Sequence, residues 1–201
     1  MIAKEKRMHV FMVYAHPSED SFTRAARDEF IRGLENAGHT YEISDLYKMK
    51  FNAEMSEAEY LREANYRSDL PVAADVMEEQ NKIKRSNALV FIYPVFWTEA
   101  PAKLVGWFDR VWTYGFAYGE RSMKRLSKAL VICISGHPLE KLEEYGHLAS
   151  MKTVMLGDRI FDRAHESKMV VLDGTTKSNM ELRSKNWPKH LATVYKLGYE
   201  L

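Results

Sequence analysis

The chain has 201 residues, 46% of them apolar and 12% aromatic, enough for one sizeable core and incompatible with disorder as a whole. With 29 Lys and Arg against 28 Asp and Glu, the formal net charge is +1, which argues against a polyanion binder. None of its ten glycines is separated from another by a single residue, so a G-x-G-x-x-G dinucleotide fingerprint is excluded, and no G-x-x-x-x-G-K-[ST] phosphate loop is present.

Met8 to Tyr14 is an apolar run of strand length that ends in a polar loop. From Phe22 the apolar residues fall three or four apart (Phe22, Ala26, Phe30, Leu34), which predicts a helix stopped by Gly38. His39 to Ser44 reads as a second strand, and Met55 to Glu63 and Ala73 to Lys84 as helices. Ala88 to Tyr93 is a continuous apolar run, as expected of a strand covered on both faces. Pro101 to Trp112 is an amphipathic helix, and Ala129 to Ile134 another buried strand. Lys168 to Leu172 is a weaker last strand, and Trp187 to Leu197 a closing helix. Strands alternating with helices predict an α/β fold: a doubly wound five-stranded parallel sheet of flavodoxin-like order 2-1-3-4-5 with helices on both faces. We expect a single domain over 1–201, with 1–7 a flexible N-terminus. Ligands of such sheets sit outside the carboxyl ends of the strands, so function is sought in the loops after strands one, three and four.

In the first loop Ser21 is the N-cap residue of the following helix. The free amides of that helix start, its dipole and the hydroxyls of Ser18, Ser21 and Thr23 make a phosphate site that needs no glycine, and His16 adds a donor. An ordinary capped loop would use the same residues. The AHPSED segment also resembles part of the metal site of zinc-dependent deacetylases, which makes a hydrolase the low-ranked rival. Ser18, however, stands where an aspartate is required, and no His pair has ligand spacing downstream. No metal is therefore expected. In the second loop Phe96 and Trp97 follow Pro94 at the strand edge. They suit a planar ligand such as an isoalloxazine, with loop amides pairing to the ring, or equally a core or subunit contact. The single Cys133 lies in a buried strand and reads as an inert thiol. With no apolar run near the roughly 20 residues that span a bilayer, and no signal-like start, the expectation is a cytoplasmic protein without membrane insertion.

Five segments occur in order: AHP-x3-SF (Ala15–Phe22), SDLY (Ser44–Tyr47), P-x2-W (Pro94–Trp97), K-x2-GWFDRV (Lys103–Val111) and GFAYG (Gly115–Gly119). Together they resemble the NAD(P)H:quinone oxidoreductase family of flavodoxin-like flavoproteins over roughly Met8 to Gly136. The resemblance implies that His16, Ser21, Phe22 and Thr23 lie around the flavin's phosphate or pyrophosphate, and Pro94, Val95, Phe96, Trp97 and Thr98 around its ring. It implies Ser135 and Gly136 at the ring's other edge. It implies a homodimer with shared sites that passes hydride from NAD(P)H through flavin to a quinone or related aromatic acceptor in a ping-pong cycle. After the fourth strand the family has T-T-G-G, then a Tyr and a His that stabilise charge on the reduced flavin. Here Ser135-Gly136-His137-Pro138 replaces it, with His137 in the place of the second glycine, and Tyr145 and His147 are the nearest Tyr/His pair. The insertion between Phe51 and Asp75 is similar to FAD-binding members, while Gly115 is more like the FMN-using bacterial ones. FAD is the expected cofactor and FMN the alternative. Outside the enzyme class, a flavodoxin-like electron carrier or regulator is the rival, although such carriers are strongly acidic.

Overall fold

The computed structural model describes residues 7–201. Residues 1–6 of the expected flexible terminus lie outside it, and Arg7 is exposed. Five parallel strands form one sheet of order β2-β1-β3-β4-β5: β1 His9–Tyr14, β2 Thr40–Asp45, β3 Ala88–Pro94, β4 Leu126–Ile134 and β5 Ala164–Leu172. Register puts Ile92 between Tyr14 and Ile132 in the middle of the sheet. Because side chains alternate along a strand, each apolar run feeds two cores. Phe11, Val13, Phe91, Val131 and Cys133 face one layer, and Val10, Met12, Val90, Ile92 and Ile132 the other.

The first layer is covered by α3 (Ala74–Arg85) and α4 (Ala102–Val111), which bury Ile83, Leu104, Trp107, Phe108 and Val111. Within it the fully buried Glu79 carboxylate accepts from Trp107 Nε1 at 2.8 Å, Ser44 Oγ at 2.8 Å and Lys82 Nζ at 2.7 Å. Each of its oxygens is thus partnered, the condition under which a buried charge is tolerated. Burial pushes the Cys133 thiol up to about 12, so it is the inert thiol its sequence position predicts.

The second layer is covered by α1 (Phe22–Ala37) and the closing helix Met180–Tyr199. These two touch backbone to backbone: a Cβ on Gly33 would lie 2.2 Å from Tyr195 O, and one on Gly198 2.2 Å from Phe30 O. Only glycine permits that approach. Helix α2 (Glu57–Ala64) lies within the insertion between β2 and α3 and is opened by a Ser56–Glu59 capping box. Arg110 of α4 holds it down, donating to Asp75, Glu59 and the Asn52 carbonyl.

Three differences from the sequence expectations have local causes. Between β4 and β5 the chain forms α5 (Leu139–Glu144), α6 (His147–Lys152) and a π-helical segment, Thr153–Ile160, too short and irregular for an apolar period to reveal. Strand β5 starts at Ala164, earlier than expected, because its first half is polar and exposed and carries no apolar signal. The closing helix, α7, begins at Met180, capped by Asn179, seven residues before the Trp187 start expected from the residue pattern, and continues through Pro188. No described helix is long and apolar enough to cross a membrane.

Arg85 grips Glu42 of β2 through two hydrogen bonds (2.6 and 2.5 Å), and His9 adds a third contact at 2.9 Å. The Arg85 guanidinium is the main cause that holds this carboxyl at about 2. A depressed carboxyl contributes stability above its unfolded pKa of about 4.3 and loses it as pH falls through the folded value. Glu42→Gln is therefore expected to lower Tm at neutral pH, with the gap to wild type closing as pH falls through the range from about 4 to about 2. Thermal melts across that range check it; a gap independent of pH contradicts the ion pair.

Candidate functional site

The carboxyl ends of β1, β3 and β4 are neighbours, and one hydrogen-bond chain sets their loops side by side. Ala15 N donates to Ile92 O (3.1 Å), Val95 N to Ile134 O (2.8 Å) and Ser135 N to Leu172 O (2.9 Å). The sequence-predicted residues His16, Ser21–Thr23, Pro94–Thr98 and Ser135–His137 thus line one edge, as topology requires.

At the β1 loop Ser21 has extended backbone, and its Oγ accepts the Arg24 amide at 3.1 Å. That leaves the Phe22 and Thr23 amides of the first turn without intrahelical partners. Thr23 is only 2% exposed, yet its hydroxyl has no protein partner among the described residues. Ser18 departs from its expected role: its hydroxyl is taken by the Asp20 backbone. His16 Nδ1 lies 3.0 Å from the Ser18 amide and 2.9 Å from the Ser18 carbonyl, so the Ser18 backbone holds the ring, and burial lowers the His16 pKa, which favours the neutral imidazole.

Beside the Ser21 helix start opens a groove of about 440 Å³ bordered by Arg24, Lys177, Arg183 and Trp187 and, on the α1 side, by the carboxylates of Glu19, Asp20 and Asp28. Arg24 is neutralised by Glu19 (2.9 Å). Arg183 stacks over Trp187, 4.5 Å from the ring centroid, and its buried Nε has no hydrogen-bond partner. Phe22 meets Trp187 edge-on at 4.6 Å. Lys177, Arg183 and Trp187 are not among the residues expected from sequence, because they come from the far end of the chain; an Arg and a Trp four apart on a helix were the available signal. The free amides, the free hydroxyl and the unpartnered Arg183 nitrogen fit a phosphate group at the helix start.

The β3 loop is a tight turn. Phe96 N donates to Glu99 O (2.8 Å) and Glu99 N to Phe96 O (2.9 Å), and Trp97 and Thr98 between them have φ of 51° and 67°. Two positive φ values are the mark of a type I′ turn, which prefers Asn-Gly; for the β-branched Thr98 the conformation is strained, a cost of order 1–3 kcal/mol that functional sites bear. Four amides of the loop are engaged, since Ala100 N donates to Glu99 Oε1 at 2.7 Å. Only those of Trp97 and Thr98 remain. Trp97 is fully exposed, while Pro94 is buried and Val95 packs on the core.

After β4, Ser135 is a loop builder. Its hydroxyl bonds the His137 backbone, and its carbonyl accepts from Thr175 N (3.1 Å) and Thr175 Oγ1 (2.9 Å). Gly136 and His137 are not buried, and a Cβ on Gly136 would meet nothing closer than Thr176 Cβ at 3.4 Å. His137, in the place of the absent second glycine, is not among the residues with positive φ, so its side chain brings no backbone strain. Tyr145 and His147 flank the left-handed Gly146 with rings 5.6 Å apart, Tyr145 being 57% exposed. No three His, Cys, Asp or Glu side chains gather in a metal-binding group among the described residues.

Another cavity, of about 510 Å³, lies elsewhere, against the amino-terminal halves of β4 and β5 at Lys128, Glu166 and Lys168. Convergent unpartnered donors, which mark a binding site better than volume, are at the carboxyl edge.

The flavodoxin-like fold family matches residues 8–182. Over 96% of this chain and 98% of the other, the structure is similar to an NAD(P)H:quinone oxidoreductase from Methanothermobacter marburgensis, with 45% identity and a TM-score of 0.88. The chain belongs to the flavodoxin-like NAD(P)H:quinone oxidoreductase family. Its curated relatives in that family include a ribosyldihydronicotinamide dehydrogenase-like protein of Penicillium crustosum, 36% identical over 132 residues, which are 59% of this chain and 49% of that protein. The NAD(P)H dehydrogenase [quinone] 1 of Cavia porcellus is 31% identical over 56% of this chain and 46% of its own length. The chain spans about half the length of these curated relatives.

Proposed function

We propose that the protein is a flavin-dependent NAD(P)H oxidoreductase that reduces quinones or related electron-poor aromatics. The observation that carries this is the β3 turn, which turns two unpaired amides and an exposed indole outward beside the unpaired helix start at Ser21. When bound, the flavin supplies the hydride chemistry, accepting from NAD(P)H and delivering to the acceptor.

The residues bind and orient. The Phe22 and Thr23 amides and the Thr23 hydroxyl would hold the phosphate nearest the ring, with His16 beside them. Lys177, Arg183 and Trp187 would hold the second phosphate and the nucleoside of FAD, which is the reading that favours FAD over FMN. Pro94, Val95 and Phe96 wall the ring, and the Trp97 and Thr98 amides donate to its polar edge. Ser135, Gly136 and His137 would border the opposite edge of the bound ring. Tyr145 and His147 would be the catalytic pair, serving as hydrogen-bond donors at that edge. Trp97, Tyr66 and Phe161 are large exposed rings that a second copy of the chain covers in a homodimer.

Initial rates with NADH or NADPH and a soluble quinone test the activity. Parallel double-reciprocal lines, and a dimer on sedimentation, are expected. Bound flavin with no NAD(P)H turnover would make the protein an electron carrier, and stoichiometric zinc without flavin would overturn the reading.

A further inference from the structure

The β3 turn cannot hold its geometry by sequence preference, because neither Trp97 nor Thr98 favours positive φ. Something outside the turn holds it. Glu99, its last residue, accepts Arg159 Nη1 at 2.9 Å while the same oxygen accepts the Ala100 amide at 2.7 Å. Arg159 is itself fixed on three sides. Its guanidinium lies over Phe108 at 4.8 Å, its Nη1 contacts Met155 Sδ at 3.4 Å, and its carbonyl accepts Trp112 Nε1 at 2.7 Å. Its side chain is mostly buried, with 12% exposed against 40% for Glu99.

Arg159 belongs to the π-helical segment, which ends at Phe161 with φ of 41°. Wide turns of this kind recur at functional sites, where they redirect a side chain that a regular helix would send elsewhere. Sixty residues separate Arg159 from Glu99, and only the fold brings them together.

We propose that Arg159, acting through Glu99, is the positioning residue of the flavin-binding turn: it keeps the Trp97 and Thr98 amides turned outward in the ligand-free protein. The proposal rests on the flavin reading above. Arg159 touches neither amide itself, so its effect passes entirely through the backbone of the turn. Lysine cannot replace it fully, because an ammonium lacks the flat fork that lies on Phe108 while reaching Glu99.

The test is FAD titration of the apo-protein, followed by flavin fluorescence, in wild type, R159A, R159K, T98G and the T98G/R159A double variant. R159A is expected to raise the FAD Kd about tenfold and R159K by less. Glycine at 98 keeps the amide and accepts positive φ without strain, so R159A is expected to cost only about twofold in the T98G background. A merely structural arginine would cost as much in both backgrounds. Should R159A not fold, E99A removes the same contact from the other side, and T98G/E99A is compared with it in the same way. R159A or E99A binding FAD as wild type does, or an equal loss with and without T98G, overturns the positioning role alone. A wild type that binds neither FAD nor FMN overturns the flavin reading instead.

Discussion

Ser21→Asp is expected to leave the fold intact and to weaken FAD binding at least about hundredfold, because a unit charge about 4 Å from a phosphate at an effective dielectric near 20 costs about 4 kcal/mol. Aspartate caps a helix as well as serine does, and its charge is favoured by the helix dipole. It can accept the Arg24 amide in place of Ser21 Oγ. Ser21→Ala reverses the ranking. It loses about 1 kcal/mol of cap and about 2–4 °C of Tm, yet puts no charge beside the Phe22 and Thr23 amides. Melting curves and FAD titrations of both variants check this; S21D binding FAD at wild-type affinity would remove the helix start from the site.

The second large effect separates the two flavins. Arg183→Glu is expected to weaken FAD at least about tenfold while changing FMN affinity little, since only the dinucleotide extends past the first phosphate into the groove. Arg183 has an unpartnered buried Nε and an indole beneath it, so a ligand phosphate gains a bond there without breaking one. Parallel titrations with FAD and FMN check it. Equal losses for both, or none for FAD, would assign the groove to something other than the nucleoside half.

The elements that position this edge were legible because local physics determines them. Ala88 to Tyr93 is apolar without interruption, as a strand between two helix layers must be, and Ser21 and Gly38 mark both ends of α1 by capping chemistry. Aromatics after Pro94 pointed to the β3 loop. Which of its amides stay free was not legible, since Val95 pairs with a strand about forty residues on, and Phe96 pairs with Glu99 across Trp97 and Thr98, whose positive φ sequence does not predict. The clamp was further still from view. Arg159 lies in a short irregular stretch with no apolar period, and its partners Glu99, Phe108 and Trp112 are all more than forty residues away. The scarcity of glycine, which first removed the familiar phosphate loops, also leaves Thr98 in a conformation glycine would take freely. Strain and an ion pair stand where another sequence would place a glycine.

The most direct test of the central claim is an anaerobic titration of the FAD-loaded protein followed in the visible. NADH or NADPH is expected to bleach the absorption band of the bound flavin, and a stoichiometric quinone to restore it, the two half-reactions proceeding separately in the same cuvette. A protein that stays colourless in the presence of FAD, or whose bound flavin is left unchanged by both nicotinamides, would contradict the account.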